Sequence, residues 1–163
     1  MEAERSRTEL NLQTLYEAYL PSVYRVAFTY MHNSYDSEDA AQEAFLRLAR
    51  FRGSFESERQ IRAWLIVTVT NVCKDMLRRK HRQDAQLDEA DAQAAGAEDG
   101  SELLEAVRRL PDQYRTVVFL HYYEGYAVEE IAAALHRPSG TVKSWLHRAR
   151  QKLKESLEVN DDE

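Results

Sequence analysis

The chain has 163 residues, of which 44% are hydrophobic, and it carries a net charge of −6 with only five glycines and three prolines. This composition supports one or two small hydrophobic cores, favours helix throughout and excludes a disordered chain. The single cysteine, Cys73, excludes an internal disulfide and is typical of a reducing cytosol. No apolar run approaches the roughly 20 residues of a membrane span. Together with the helix-favouring composition, these features predict a cytoplasmic, all-helical protein.

Three helices are predicted in the first part of the chain. Apolar residues recur at three- and four-residue steps over residues 12–30, which is typical of an amphipathic helix, and Pro21 predicts either a kink or the start of a second helix. The stretch SYDSEDAAQEAFLRLARF predicts another helix that begins with Ser and Asp caps. A third helix carries apolar residues from Ile61 to Met76 on one side and ends in LRRKHR.

Residues 83–101 are predicted to be a linker. They contain no aromatic residue, and Leu87 is their only large aliphatic residue, so they cannot bury enough surface to offset the entropy of ordering. We therefore expect two helical domains, residues 8–82 and 102–157, joined by a flexible acidic segment.

Several shorter helices are predicted in the second domain. LLEAVRRL is halted by Pro111, and DQYRTVVFLHYYEGY stops at Gly125. AVEEIAAAL follows, then the turn HRPSG and a basic helix. Two helices joined by a tight turn, the second of them basic, are typical of a helix-turn-helix.

Basic residues are concentrated in two blocks of the chain. Residues 47–82 carry ten basic and three acidic groups, and residues 137–154 carry six basic groups and no acidic one. Between them, residues 83–107 carry eight acidic groups and no basic one. Because local charge decides contact with a polyanion, both blocks are candidate nucleic-acid contacts, and the alternative is that each is a solvated helix face.

The last helix has two distinct sides on a helical wheel. Val142, Leu146, Ala149 and Leu153 form an apolar stripe. Trp145 lies to one flank, where we expect it to pack at the rim of the core against Leu135 or Ile131, and direct contact with DNA is the alternative. The opposite side and the other flank carry hydroxyls, an imidazole and cationic groups suited to base edges and phosphates. These residues are Thr141, Lys143, Ser144, His147, Arg148, Arg150 and Gln151.

Motifs typical of enzymes and metal sites are missing from the sequence. It has no glycine-rich phosphate loop, no HExxH and no cysteine cluster, and its five histidines show no ligand spacing. Asp36, Glu38, Asp39 and Glu43 form an acidic cluster, but neighbours on a helix point about 100° apart and do not converge on an ion. We therefore predict a protein that is not an enzyme and that has no metal or cofactor site.

The stretch LPDQYRTVVFLHYYEGYAVEEIAAALHRPSGTVKSWLHRARQKL resembles region 4 of the extracytoplasmic-function (ECF) sigma factors of bacterial RNA polymerase. The first domain resembles region 2: YDSEDAAQEAFLRL is similar to the segment that docks on the polymerase clamp, and IRAWLIVTVTNVCKDMLRRKHR to the helix that opens and reads the upstream promoter element. Two positions depart from the family. His136 stands where Gly is usual, so it adopts the left-handed conformation or the turn differs, and Trp145 stands where Arg is common.

The resemblance implies roles for particular residues. The polymerase contact is Asp39, Gln42 and Glu43, an exposed helix side that would otherwise be interpreted as merely solvated. The loop around Gly53 captures a flipped base of single-stranded promoter DNA, and the residues implied are Phe51, Arg52, Phe55 and Asn71. Contacts with duplex DNA are predicted at Arg78, Arg79, Lys80, Arg82, Thr141, Lys143, Ser144, His147, Arg148 and Arg150.

We predict a sigma factor that binds core RNA polymerase and directs promoter recognition, strand opening and transcription initiation. Its expected partners are core polymerase, promoter DNA and an anti-sigma factor, with no small-molecule substrate and no insertion into a membrane. Two alternatives stay open: a helix-turn-helix regulator with an N-terminal sensing domain, and a helical adaptor that binds only protein. A sigma factor binds core polymerase and shows little tight promoter binding alone, whereas an ordinary regulator footprints DNA unaided.

Overall fold

The computed structural model describes residues 2–83 and 102–161. The described residues fall into two compact units, one that ends at residue 83 and one that starts at residue 102. All regular secondary structure in these two ranges is helical, which confirms the predicted all-helical fold. The predicted linker, residues 83–101, lies outside the described residues except for Gln83, which is the last residue of a helix.

The first unit is a bundle of three helices, α1 (Glu2–Met31), α2 (Ser34–Arg50) and α3 (Glu58–Gln83). Each helix packs against the other two, because each presents an apolar stripe that must be removed from water. Cys73 is buried in this core. The fully enclosed apolar side chains include Val23, Val26, Ala27, Ala40, Ala44, Leu65, Ile66, Val69 and Cys73.

Helix α1 continues through Pro21, so the predicted alternative of a second helix beginning there is wrong. Proline removes one hydrogen bond, that to the carbonyl of Glu17, but both residues lie on the exposed side of α1, where water can satisfy the carbonyl. On the opposite side, Val23 and Val26 are buried against the other helices. Packing of this apolar side outweighs the lost hydrogen bond.

Helix α2 is capped by Asn33, which corrects the predicted Ser and Asp caps. Asn33 has an extended backbone, and its Oδ1 accepts the N–H of Asp36 at 2.8 Å, while its Nδ2 donates to the Asp36 carboxylate at 2.9 Å. Ser34 is the first helical residue, and Asp36 lies in the first turn, where the helix dipole favours a negative charge. The cap is therefore one residue earlier than the sequence motif indicated.

The second unit contains α4 (Glu102–Arg108), α5 (Asp112–Val118), α6 (Val128–Leu135) and α7 (Ser139–Asp161). Helices α4, α5 and α6 all contact α7, which forms the centre of this unit. No helix in the described part of the chain is both long enough and apolar enough to cross a bilayer. The core side chains of this unit include Val107, Val117, Phe119, Leu120, Tyr126, Ile131, Val142, Leu146 and Ala149.

Helix α5 runs directly into a π-helical turn, Phe119–Tyr123, which the sequence did not predict. In this turn the N–H of Glu124 donates to the carbonyl of Phe119 at 3.0 Å. Gly125 then adopts a positive φ of 75°, a conformation that glycine reaches without steric strain, and the chain leaves the helix. The predicted stop at Gly125 is confirmed.

Candidate nucleic-acid interface

A tight left-handed turn joins α6 to α7. His136 ends α6 with φ 55° and ψ 45°, so the first of the two predicted alternatives, a left-handed His136, is what the structure has. The N–H of Arg137 donates to the carbonyl of Ala132 at 3.0 Å, and the N–H of His136 donates to that of Ala133 at 3.4 Å. These bonds satisfy the last carbonyls of α6 and fix the direction in which α7 begins.

Burial decides which side of α7 faces solvent. Val142 and Ala149 are completely buried and Leu146 is 1% exposed, so the apolar stripe predicted from the wheel faces the core. Six residues of α7 are predicted to contact duplex DNA, and two of them, Thr141 and Ser144, are half-buried near the start of the helix. The other four, which include all the cationic ones, are exposed: Lys143, His147, Arg148 and Arg150.

Two arginines, one in α7 and one in the turn before it, lie close to aromatic rings. The guanidinium carbon of Arg150 lies 5.8 Å from the ring centroid of Tyr122, a half-exposed residue of the π-helical turn. That of Arg137 lies 6.0 Å from the ring centroid of Trp145. Both distances allow a cation–π interaction. The sequence places Arg137 in the basic block of residues 137–154, but it did not predict the contact with Trp145, because nothing local indicates that a turn residue meets a ring eight positions later.

Three aromatic rings cluster around the loop that joins α2 to α3. The centroids of Phe51 and Phe55 are 4.8 Å apart, and that of Trp64 lies 5.3 Å from Phe51 and 6.0 Å from Phe55. Gly53 lies under the first of these rings, since a Cβ there would come within 2.5 Å of Phe51 Cζ. The loop therefore presents a compact aromatic surface, on which Phe51 is 40% exposed and Phe55 is half-buried.

The other two residues predicted to bind single-stranded DNA lie beside this cluster in the sequence. Arg52 is exposed between the two phenylalanines. Asn71 is exposed on α3, about two turns after Trp64 and thus on the same side of that helix. Phe55 also lines a cavity of about 370 Å³ between α1 and the start of α3, whose other lining residues include Leu15, Glu58 and Ile61.

The predicted polymerase contact lies on one side of α2. Asp39 and Gln42 are exposed, and Glu43 is half-buried with its Oε1 3.4 Å from Nε of Arg47 one turn later. Spacings of three and four residues place all three on one helical side. The opposite side, which includes Ala41 and Ala44, is buried in the bundle.

The four basic residues near the end of α3 differ in their surroundings. Arg78 donates to the carboxylate of Asp75 at 2.6 Å, and Lys80 donates to the largely buried carboxylate of Asp36. Arg79 and Arg82 are exposed and form no ion pair with another described residue. The last two are thus the cations most available to a nucleic-acid backbone.

The Lys80–Asp36 ion pair changes the titration of the carboxyl. Burial by itself raises the pKa of Asp36, but the hydrogen bonds donated by Lys80 and Asn33, together with the positive charge of Lys80, outweigh burial and leave the pKa below its ordinary value of 3.8. Asp36 is therefore ionised at neutral pH and joins the first turn of α2 to the end of α3.

Comparison with known proteins assigns a family to both units. Residues 15–83 match the family model of Sigma-70 region 2, and residues 101–153 match that of Sigma-70 region 4. The chain is 32% identical over 164 aligned positions to the ECF RNA polymerase sigma factor SigW of Bacillus subtilis, with 86% of each chain covered. The chain belongs to the ECF sigma factors.

One further relative agrees with this assignment, and one solved structure has a similar fold. The RNA polymerase sigma factor CarQ of Myxococcus xanthus is 30% identical, with 96% of this chain and 95% of CarQ covered. The sigma factor RpoE of Bartonella quintana, solved in complex with the anti-sigma factor NepR, has a similar fold, with a TM-score of 0.70 and 24% identity over 91% of this chain and 98% of that one.

Family membership confirms the predicted function. As a sigma factor, the protein binds core RNA polymerase and directs it to promoter DNA for transcription initiation. The sigma factors are non-catalytic initiation factors, and the two alternatives, an ordinary helix-turn-helix regulator and a protein-binding adaptor, are not favoured.

Proposed function

We propose that this sigma factor divides promoter recognition between its two domains, residues 8–82 and 102–157. The second domain reads an upstream duplex element through α7, while the first docks on core polymerase and holds the opened strand. The observation that carries this proposal is the orientation of α7, whose buried Val142 and Leu146 leave His147 and Arg148 facing solvent. A recognition helix needs such a side, polar and cationic, directed away from the core.

Base reading is assigned to the start and middle of α7. Thr141 and Ser144 supply hydroxyls in its first turns, and Arg148 supplies two parallel donors that suit a guanine edge in the major groove. Lys143 and Arg150 lie on one flank of the helix and contact phosphates, which add affinity without sequence information. The ring of Tyr122 limits the freedom of Arg150 before DNA arrives, so less side-chain entropy is lost on binding.

Capture of an opened base is assigned to the aromatic loop. Phe51 and Phe55 form a ring surface on which an unstacked base can lie, and such stacking is worth about 1–3 kcal/mol per base. Arg52 lies in the same loop, where its charge attracts the phosphates of the separated strand. The exposed amide of Asn71 both donates and accepts, so it can pair with a base edge. A base enters this surface only after the strands separate.

Contact with core polymerase is assigned to Asp39, Gln42 and Glu43. Their side of α2 faces solvent in a bundle whose interior is already filled, so a partner can bind it without disturbing the fold. Near the end of α3, Arg79 and Arg82 contact duplex phosphates. Arg78 and Lys80 add to this contact where DNA phosphates displace the carboxylates that they bind now.

The remaining parts of the proposal concern location and control. The protein acts in the cytoplasm, where core polymerase and promoter DNA are found, and it has no catalytic activity of its own, because polymerase carries out the chemistry. An anti-sigma factor restrains it, as the family resemblance implies and as NepR accompanies RpoE of Bartonella quintana. A screen for genes whose loss raises transcription from its promoters tests this part.

The central experiment is transcription from a genomic DNA library by core polymerase with and without the protein, with start sites mapped. We expect start sites that depend on the protein and share one upstream duplex element and one element near the start. Footprinting without polymerase is the control, because strong protection by the protein alone would indicate an ordinary regulator and contradict the proposal.

A further inference from the structure

Arg137 is an exposed cation of the basic block 137–154, but the sequence assigned it no individual contact with DNA. Arg137 lies in the turn between α6 and α7, and its guanidinium carbon lies 6.0 Å from the ring centroid of Trp145. The side chain is exposed, and the guanidinium forms no ion pair with another described residue. Because Arg donates five N–H groups and here meets only a ring face, its hydrogen-bonding capacity is left to solvent or to a ligand.

Both ends of this contact are held in place. The backbone of Arg137 is fixed by its bond to the carbonyl of Ala132 at 3.0 Å, and Pro138 restricts its conformation from the other side. Trp145 is half-buried on α7, between the fully buried Val142 and Ala149. The ring and the turn backbone are therefore both fixed, and the guanidinium lies over the ring of Trp145.

The place of this cation in the motif indicates its ligand. The N-terminal residues of a recognition helix contact base edges, so the turn just before it lies at the rim of the groove, where the phosphates are. α7 begins at Ser139, two residues after Arg137. A planar guanidinium is suited to bidentate contact with phosphate oxygens, and a ring beneath it keeps the fork oriented.

We infer that Arg137 is a phosphate-binding residue of this sigma factor and that Trp145 is its positioning residue. The inference rests on the proposed orientation of α7. It assigns one anionic ligand, a DNA backbone phosphate beside the upstream element, to a pair of side chains that are eight positions apart in the sequence. The contact adds affinity and fixes the register of α7, without distinguishing one base from another.

The test measures the salt dependence of DNA binding. Holoenzyme reconstituted with the full chain binds a promoter fragment mapped by the library experiment, at a temperature where the strands stay paired and over a series of salt concentrations. Arg137→Ala should weaken binding equally on all point variants of the upstream element and lower the slope of log affinity against log salt by about one unit. An unchanged slope would overturn the inference.

Trp145 is tested through its coupling to Arg137. Trp145→Leu should weaken binding when Arg137 is present and have no further effect in the Arg137→Ala background, whereas Trp145→Phe, which keeps a ring, should retain binding. Additive losses from the two substitutions would contradict the positioning role. The melting temperature of each full-length variant is also measured. If Trp145 has only a structural role, Trp145→Leu should lower the melting temperature and leave the salt slope unchanged.

Two controls separate this inference from the proposed function. Arg109→Ala removes one exposed positive charge from the same unit, outside the helix-turn-helix, and should leave the slope unchanged; an equal fall would show a net-charge effect and overturn the inference. Lys143→Ala and Arg148→Ala test the orientation of α7 itself. If these two weaken binding and Arg137→Ala does not, only the inference fails; if none of them matters, both fail.

Discussion

Lys80 near the end of α3 donates a hydrogen bond to Oδ2 of Asp36 in the first turn of α2, 44 positions earlier in the chain. The Asp36 side chain is 12% exposed, and that of Lys80 is 48% exposed. Asp36 also accepts from Asn33, the cap of α2. The ion pair thus links the basic end of α3, a predicted DNA contact, to the first turn of α2, just before the predicted polymerase contact.

We predict that Asp36→Asn lowers the free energy of unfolding at pH 7 by about 0.5–1 kcal/mol, because Lys80 loses its charged partner but, being half exposed, remains solvated. Since the folded-state pKa of Asp36 is lowered, the pair stabilises the fold fully above about pH 4, and its contribution is lost as pH falls through the folded-state pKa. Urea unfolding of both proteins should show their difference shrinking below about pH 4. A constant difference down to pH 2 would contradict this role.

Lys80→Ala and Arg79→Ala should have different effects, although they are neighbours. Lys80→Ala should lower stability, because Asp36 loses its partner, whereas the exposed Arg79 has no described partner and its removal should leave unfolding unchanged within about 0.5 kcal/mol. Arg79→Ala should instead reduce the salt slope of holoenzyme binding to DNA by about one unit. If Lys80→Ala were as stable as the parent protein, the ion pair with Asp36 would contribute nothing to stability.

Replacing Asp39, Gln42 and Glu43 together with Ala should weaken association with core polymerase by about tenfold or more, equivalent to about 1.4 kcal/mol or more. Helix content should be unchanged, because the opposite side of α2 carries the packing. Fluorescence anisotropy of the labelled protein with core polymerase measures this. Glu17→Ala is the control, because it removes an exposed acid from α1, outside the predicted contact. Undiminished binding by the triple variant would refute the docking assignment.

Asn71→Ala should impair promoter opening more than formation of the closed complex, because its proposed base is available only after the strands separate. Phe55→Ala should do the same and also lower stability, since it removes a ring packed against Phe51 and Trp64. Permanganate reactivity of melted thymines reports opening, and binding at a temperature that keeps the strands paired reports the closed complex. Equal opening by Asn71→Ala and the parent protein would refute the role of the loop.

Arg148→Ala should remove discrimination at specific upstream base pairs, worth about 1–3 kcal/mol each, whereas Lys143→Ala and Arg150→Ala should weaken binding on all sequences alike. Abortive transcription on point variants of the upstream element at two salt concentrations measures both effects. If Arg148→Ala affects all variants equally and Lys143→Ala changes their ranking, the proposed orientation of α7 is wrong.

His136→Gly should raise the free energy of unfolding by up to about 1 kcal/mol. The left-handed conformation of His136, φ 55°, is strained for a residue with a Cβ, although part of the gain is offset by the greater freedom of glycine in the unfolded chain. Thermal and urea unfolding of the full chain test this. A loss of stability would show that the imidazole makes a compensating contact.

Much of this protein follows from local patterns in its sequence. The apolar stripe of α7 around Val142 is visible at helical spacing, because a helix that packs on one side must bury residues three and four positions apart. The stop at Gly125 follows from the freedom of glycine at positive φ. The family motifs of both regions are likewise contiguous stretches, so the sequence indicated the fold, the helix-turn-helix and the sigma factor assignment.

Other features depended on packing between distant residues. Pro21 predicted an interruption of α1, yet burial of Val23 and Val26 outweighed one lost hydrogen bond. The partnership of Lys80 with Asp36 could not be predicted, because it arises only where the end of α3 meets the start of α2.

The sequence by itself determined which residues are apolar, cationic and at turn positions, because these depend on side-chain chemistry and on spacing of a few residues. The tertiary structure alone decided which cations are available to DNA. It pairs Lys80 with a carboxylate, places Arg150 and Arg137 within cation–π distance of Tyr122 and Trp145, and leaves Arg79 exposed. Each partner is set by how helices pack, and that packing minimises the exposed apolar area of a whole unit, which no local pattern encodes.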